Sequence, residues 1–310
     1  MPGPMPRDKT PAPQGFEESS QPTVPGLAHI EHGFVEVDGL RLHYAAAGAG
    51  EPLILLHGWP QHWWSWRAVI GPLSTRYRVI CPDVRGLGWS EGDSSDYGLR
   101  RLAADLIGVL DGLKIERALL AGHDWGAAIG YEACLGWPRR FDAFIPIGGL
   151  TPWSSEGAPL RLWMRPWHIP VLAGLGRWPE ITRRVAANSL KAWRHAGEFS
   201  GEEISVYLDA IGRPGSATAT QRYYRSVALR EIPRFIRHHS EMRLLTPTLH
   251  LNGEHDPLTI GVPDSYRLYA ERMRLKLLPD CGHFVAEEAP KVLLARIEEF
   301  FDDAGHGKAG

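Results

Sequence analysis

Gly122-His123-Asp124-Trp125-Gly126 follows directly on the apolar run Ala118-Leu119-Leu120-Ala121. A short apolar run ending in such a pentapeptide reads as a strand that turns sharply into a helix, with glycines where the backbones crowd. The pattern has the form G-x-S-x-G with an aspartate in the serine's place. A serine in that turn attacks carbonyl carbon. A carboxylate is a poor acyl acceptor, but it can displace a leaving group at saturated carbon and remain as an alkyl ester. Taken alone, the pentapeptide is equally an ordinary turn in which Asp124 caps the following helix.

From His32 onward strands alternate with helices. Phe34 to Val37 and Leu40 to Tyr44 flank an Asp38-Gly39 turn and read as a hairpin. Leu53 to Leu56, Tyr77 to Cys81, Ala118 to Ala121 and Ala143 to Ile147 are short apolar runs bounded by Gly, Pro or charge. That is the pattern of parallel strands covered on both faces. Between them, Leu102, Leu106, Val109, Leu110 and Leu113 keep helical spacing over Leu99 to Leu113. The alternation predicts an α/β fold with a mostly parallel, doubly wound sheet. The rhythm breaks from Thr151 to about Met242, where prolines and Trp153, Trp163, Trp167, Trp178 and Trp193 crowd segments without strand character. An inserted, mainly helical cap is expected there. Thr248 to Leu251 and Leu275 to Leu278 resume the sheet, and an amphipathic helix closes it from Pro290 to Phe301. The core is thus expected in two pieces, residues 29–150 and 242–304, around a cap at 151–241.

With 310 residues, 44% hydrophobic and 23% charged, the chain can bury a sizeable core. A net charge of -2 gives no electrostatic reason to expect nucleic acid or an anionic membrane surface as partner. Cys81, Cys134 and Cys281 are odd in number, widely spaced and without a C-x-x-C pattern, so neither a disulfide framework nor a zinc site is expected. A reducing, cytoplasmic setting fits. Residues 1–28 are proline-rich with few large apolar side chains and read as a disordered leader, and 305–310 as a flexible tail. No run has the length and apolarity of a membrane span, so a soluble protein is expected. The oligomeric state is not written in these patterns.

Three further motifs stand at expected strand ends, where open α/β sheets bind ligands. After Leu53 to Leu56 comes His57-Gly58-Trp59-Pro60, whose Trp59 backbone N–H could pair with that of Trp125 as an oxyanion hole. After Thr248 to Leu251 comes Asn252-Gly253-Glu254-His255-Asp256-Pro257. After Leu275 to Leu278 comes Asp280-Cys281-Gly282-His283-Phe284. Asp124, an acid and His283 then appear in the order nucleophile, acid, histidine. His283 would activate water, and the acid would fix its tautomer. Glu254 and Asp256 both compete for the acid's place, and Asp256 fits the usual register. His57 and His123 read as structural supports.

From about Phe34 to Phe301 the chain resembles the α/β-hydrolase-fold epoxide hydrolases. The resemblance is carried by His57-Gly58-Trp59-Pro60, Asp83-Val84-Arg85-Gly86-Leu87-Gly88-Trp89-Ser90, Gly122-His123-Asp124-Trp125-Gly126 and Gly282-His283. It implies a cis peptide before Pro60, an oxyanion hole from Trp59 and Trp125, and two cap side chains that donate to the epoxide oxygen. One such donor in that family is a tyrosine in a Tyr-Arg pair, which Tyr224-Arg225 matches. The other is usually a tyrosine too, but none occurs between Thr151 and Val206. Trp167-His168 stands there instead, similar to the Cif-type subgroup with its histidine donor. An imidazole N–H can make the same hydrogen bond.

The resemblance extends to the dehalogenases that share the aspartate attack. Haloalkane dehalogenases commonly carry asparagine after the His-Gly pair, where this chain has Trp59. Fluoroacetate dehalogenases carry arginines just after the nucleophile, where this chain has Trp125 and Ala128; a Trp-His pair in the cap also occurs in their halide pockets. Some members of the fold are ligand receptors with little turnover. The histidines lack an H-E-x-x-H arrangement, and Gly86-Leu87-Gly88 lacks the third glycine of a dinucleotide fingerprint. Neither a metal nor a cofactor is expected. Trp59, Trp63, Trp125, Trp163 and Trp167 are expected to line an apolar pocket for a small hydrophobic epoxide, which reacts with water.

Overall fold

The computed structural model describes residues 24, 27, 29–92, 96–149, 151–153, 168–258 and 264–306. Eight strands form one sheet: β1 (Glu31–Val37), β2 (Leu40–Ala47), β3 (Glu51–Leu56), β4 (Tyr77–Pro82), β5 (Ala118–His123), β6 (Phe141–Ile147), β7 (Thr248–Gly253) and β8 (Met273–Leu278). Their spatial order is β1-β2-β4-β3-β5-β6-β7-β8. β1 pairs with β2 and β2 with β4 in antiparallel fashion, and every later pair is parallel. The β1–β2 hairpin turns through Asp38 and Gly39, with φ of 48° and 78°. Those positive values suit the tight turn that matches strand twist.

Side-chain alternation divides the interior into two cores. Ile54 and Leu56 of β3 and Leu120 of β5 face one way, toward Leu102, Leu106 and Leu110 of α2 (Leu99–Gly112) and Ile129 of α3 (Trp125–Gly136). Leu53, Leu55, Leu119 and Ala121 face the other way. They meet Val69, Ile70 and Leu73 of α1 (Arg67–Ser74) and Leu293, Ile297 and Phe300 of the closing helix Pro290–His306. Because both faces are covered, β3 and β5 read as unbroken apolar runs. β8 lies at the sheet edge, where Leu277 is 56% exposed.

Between β6 and β7 the described chain is helical: α4 (His168–Leu175), α5 (Pro179–Ala192), α6 (Gly201–Ile211), α7 (Ser216–Ser226), a π-helical turn at Val227–Glu231 and α8 (Ile232–His238). α6 starts on a capping box, Ser200 with Glu203. A short α9 (Val285–Glu288) and α10 (Pro290–His306) follow β8. The helical insertion is tied to the core through polar contacts. The Tyr223 hydroxyl donates to the Arg85 carbonyl at 2.7 Å, and the Trp59 indole N–H to Thr220 Oγ1 at 3.2 Å. Arg67 of α1 bonds Glu203 of α6 and Glu287 of α9.

β3 has β4 on one side and β5 on the other, so the chain reverses its direction of winding there. The loops leaving the carboxyl ends of β3 and β5 diverge at that point and leave the crevice in which open α/β sheets bind ligands.

Candidate active site

That crevice is where the two loops named from the sequence meet. Asp124 follows β5 with φ 53° and ψ -112°, a left-handed conformation that projects its side chain out of the turn. The glycines beside it make the turn possible. A Cβ on Gly126 would stand 2.1 Å from the Leu56 carbonyl oxygen, and one on Gly58 would stand 2.4 Å from Asp124 Cβ. Asp124 occupies the N-cap position of α3, yet its side chain makes no N-cap hydrogen bond. Its Oδ2 accepts the Trp59 backbone N–H at 3.0 Å, and the Trp125 backbone N–H also bonds the carboxylate. Both donors proposed for an oxyanion hole therefore already hold one carboxylate.

The other carboxylate oxygen, Oδ1, lies 3.8 Å from His283 Nε2. On the far side of the ring, His283 Nδ1 donates to Asp256 Oδ2 at 3.1 Å, and Asp256 Oδ1 accepts the Leu258 N–H at 2.8 Å. Glu254, the competing acid, is exposed. His57 and His123 serve the frame. His57 Nδ1 donates to the Gly58 carbonyl at 2.9 Å while its Nε2 accepts the Val84 N–H at 3.0 Å. His123 Nε2 donates to the His283 carbonyl at 2.8 Å.

Removal from water governs the protonation of the site. Burial pushes the Asp124 carboxyl up to about 6, against the opposing pull of His283 and of the Trp125 and Trp59 N–H groups. Burial pulls the His283 imidazole down, but Asp256, Asp124 and Glu288 together hold it above the ordinary histidine value. Asp256 is held below the usual carboxylate range, because His283 and the Leu258 N–H outweigh its burial.

Above the carboxylate stands a wall of rings. Trp59 lies parallel to His168 at 6.4 Å between centroids and edge-on to Tyr224 at 5.5 Å; Trp125 meets Tyr224 edge-on at 5.4 Å. Burial lowers the His168 pKa to about 3, with His283 adding to the effect, so its ring is neutral and offers one N–H. Burial and the Asp124 charge raise the Tyr224 phenol well above its usual value, and the Trp125 side chain hydrogen-bonds it. A neutral phenol thus stands near the carboxylate, with a neutral imidazole packed edge-on against it at 5.4 Å.

Of the remaining predicted residues, Trp63 is a correction. It is fully buried in the second core, where its backbone N–H donates to Asp83 Oδ1 at 2.8 Å and its ring meets His32 edge-on at 5.0 Å. Asp83 fixes Trp63 as the first residue of the 3-10 turn Trp63–Trp66, so its side chain packs in the core instead of lining a pocket. Trp163 and Trp167 lie outside the described residues. Two residues not singled out for the site emerge instead. The Trp193 ring stands edge-on to both His283 and His168, at 5.1 and 4.6 Å, and its carbonyl accepts the His283 N–H at 2.9 Å. Glu288 accepts four backbone N–H groups, from Gly282, Phe284, His195 and Ala196. Its position five residues after His283 was the only local hint.

Comparison with known proteins gives the chain's family. Residues 51–290 match the family model described as the alpha/beta hydrolase fold. The soluble epoxide hydrolase of Corynebacterium sp. (strain C12) is 29% identical over 283 residues, 88% of this chain and 97% of that protein. The AB hydrolase superfamily protein YfhM of Bacillus subtilis (strain 168) is 33% identical over 208 residues, 63% of this chain and 72% of its own length. Among solved structures, epoxide hydrolase CorEH without ligand superposes with a TM-score of 0.80 at 26% identity, covering 89% of this chain and 99% of its own. With most of its length matched by the family model, the chain belongs to the α/β-hydrolase fold family and is a hydrolase.

Proposed function

We propose that the protein converts an epoxide to a vicinal diol through an alkyl ester on Asp124. What supports it is a carboxylate in the elbow, 3.8 Å from His283 Nε2 and near the neutral Tyr224 phenol, with the neutral His168 ring packed against Tyr224 and Trp59. The likeness to proteins named epoxide hydrolase supports it.

In the first step Asp124 Oδ1 attacks an epoxide carbon and the carbon–oxygen bond opens. His168 hydrogen-bonds the departing oxygen and Tyr224 passes it the phenolic proton, so it becomes the hydroxyl of a hydroxyalkyl ester and Tyr224 is left as the phenolate. Oδ2, held by the Trp59 N–H, becomes the ester carbonyl oxygen, with the Trp125 N–H also bonded to the carboxylate. Esterification removes the Asp124 charge, one of the charges that hold His283 protonated. The imidazole therefore loses its proton more readily once the ester exists. Neutral His283 then takes a proton from water as that water attacks the ester carbonyl, and Asp256 balances the imidazolium. The oxyanion forms where the two backbone N–H groups already point. Collapse passes the imidazolium proton to the departing diol oxygen and leaves Asp124 as the carboxylic acid, whose proton restores the Tyr224 phenol; no cofactor enters the cycle.

The indole groups weigh against a halide leaving group. Trp59 Nε1 donates to Thr220, and the Trp125 side chain is bonded to Tyr224, so both are committed. The wall of Trp59, Trp125 and Trp193 favours a small hydrophobic or aryl epoxide. Wild type and Asp124→Ala, each incubated with aryl epoxides, haloalkanes and fluoroacetate, test the reading. Diol from the wild type alone is expected. Halide release without diol would assign the aromatic wall to a halide pocket, and silence on every substrate would favour a ligand receptor on the same fold.

A further inference from the structure

We propose that His195, His255 and Asp280 form a site for a divalent cation of the zinc class, joining the α5–α6 connection to the loops that follow β7 and β8. One ligand atom from each of the three side chains lies within 4.8 Å of the others, and all three side chains are exposed. The two imidazoles stack face to face at 3.6 Å between centroids, 18° from parallel, although they come from widely separated parts of the chain.

The backbones beneath them are fixed to a common base. The His195 N–H is bonded to Glu288 Oε2 at 2.8 Å, and the His255 N–H to the Cys281 carbonyl at 2.9 Å. Asp280 is held at φ 51° in the turn between β8 and His283. The stacked rings must rotate apart for their in-plane nitrogen lone pairs to converge on one ion, a change of side-chain torsions alone. A tetrahedral zinc ion with ligand bonds of about 2.0–2.2 Å needs ligand atoms roughly 3.3 Å apart, which rotation of exposed side chains can supply. Two imidazole nitrogens and one carboxylate suit zinc and its neighbours in the d-block and disfavour magnesium, which prefers an oxygen shell. The nearby Arg194 is turned away, donating to the Ala196 and Glu287 carbonyls with its guanidinium 4.3 Å from the Phe199 ring centre.

The site is separate from the proposed chemistry but next to its parts. His255 adjoins Asp256, and Asp280 stands three residues before His283. A bound ion would pin the insertion's connection against both loops and restrain its movement.

Calorimetric titration of metal-free protein with zinc chloride, beside magnesium chloride, tests this without recourse to activity. The same titration is run on His195→Ala, His255→Ala and Asp280→Asn, each first checked for an unchanged circular-dichroism spectrum. One zinc per chain is expected, with at least tenfold weaker binding in every variant and no comparable magnesium isotherm. Zinc should also raise the wild-type Tm and slow hydrogen exchange at the His195 and Ala196 amides. Unsaturable binding, or unit stoichiometry at unchanged affinity in all three variants, would overturn the site. Zinc binding with no change in Tm or exchange would overturn its tying role.

Discussion

A carboxylate held at positive φ and out of water is an expensive arrangement for Asp124. Such a backbone costs on the order of 1–3 kcal/mol, and the raised pKa shows that the charge is disfavoured as well. The folded protein binds the Asp124 proton more tightly than the unfolded chain does. The charge therefore destabilises the fold progressively as pH rises from about 4 to 6, and in full above that. Asp124→Asn should raise stability by on the order of 2 kcal/mol at pH 8, and melting curves should show the gain vanish below pH 4. A Tm difference independent of pH would refute this. In the proposed cycle Asp124 and His283 set the rate profile. In the proposed first step only the ionised carboxylate attacks, so ester formation in single turnover should rise with pH through about 6 and then level. Ester hydrolysis needs neutral His283, whose pKa in the free enzyme lies above the ordinary value. Stopped-flow tryptophan fluorescence should therefore resolve two phases, of which the second loses rate at low pH because its base is protonated.

At the scale of elements, α9 links the His283 loop to the insertion. Glu288 binds backbone N–H groups from both sides, so a change in one is transmitted to the other. Glu288→Ala should lower kcat on the order of 10- to 100-fold through a misplaced imidazole, with a smaller change in KM. Glu288→Gln, which keeps an accepting oxygen, should lie between, and equal loss of kcat and folded fraction would show a merely structural role. Asp124, His283 and the strands around them were legible in the sequence because each signal is local. Glycines accompany the elbow, and unbroken apolar runs mark β3 and β5. Trp193 was not legible, since its partner His283 is far away in the chain and no periodicity joins them. Trp63 misled because an aromatic residue near a motif looks the same whether it faces the core or a ligand; its fate depends on the distant Asp83 carboxylate.

At the scale of the whole molecule, a buried ion pair between two core helices, α1 and α9, also anchors the insertion through Tyr207 of α6. Arg67 reaches Glu287, which is nearly fully buried and also accepts the Tyr207 hydroxyl at 2.6 Å. Burial raises the Glu287 pKa, and Arg67 with its other partners opposes that rise. Arg67→Met should cost about 3–5 kcal/mol by stranding this carboxylate. Arg67→Met combined with Glu287→Gln should cost less than the sum of the two single changes, as urea melts of the four proteins would show. Additive losses would mean that the pair is not coupled. The proposed catalytic cycle as a whole depends on the ester, and the most direct test is one turnover, with enzyme in excess over an aryl epoxide, in heavy-oxygen water. The first diol should carry no solvent oxygen, because the added oxygen comes from Asp124, whose peptide then holds the label by mass spectrometry. Solvent label in that first diol, with Asp124 unlabelled, would contradict it.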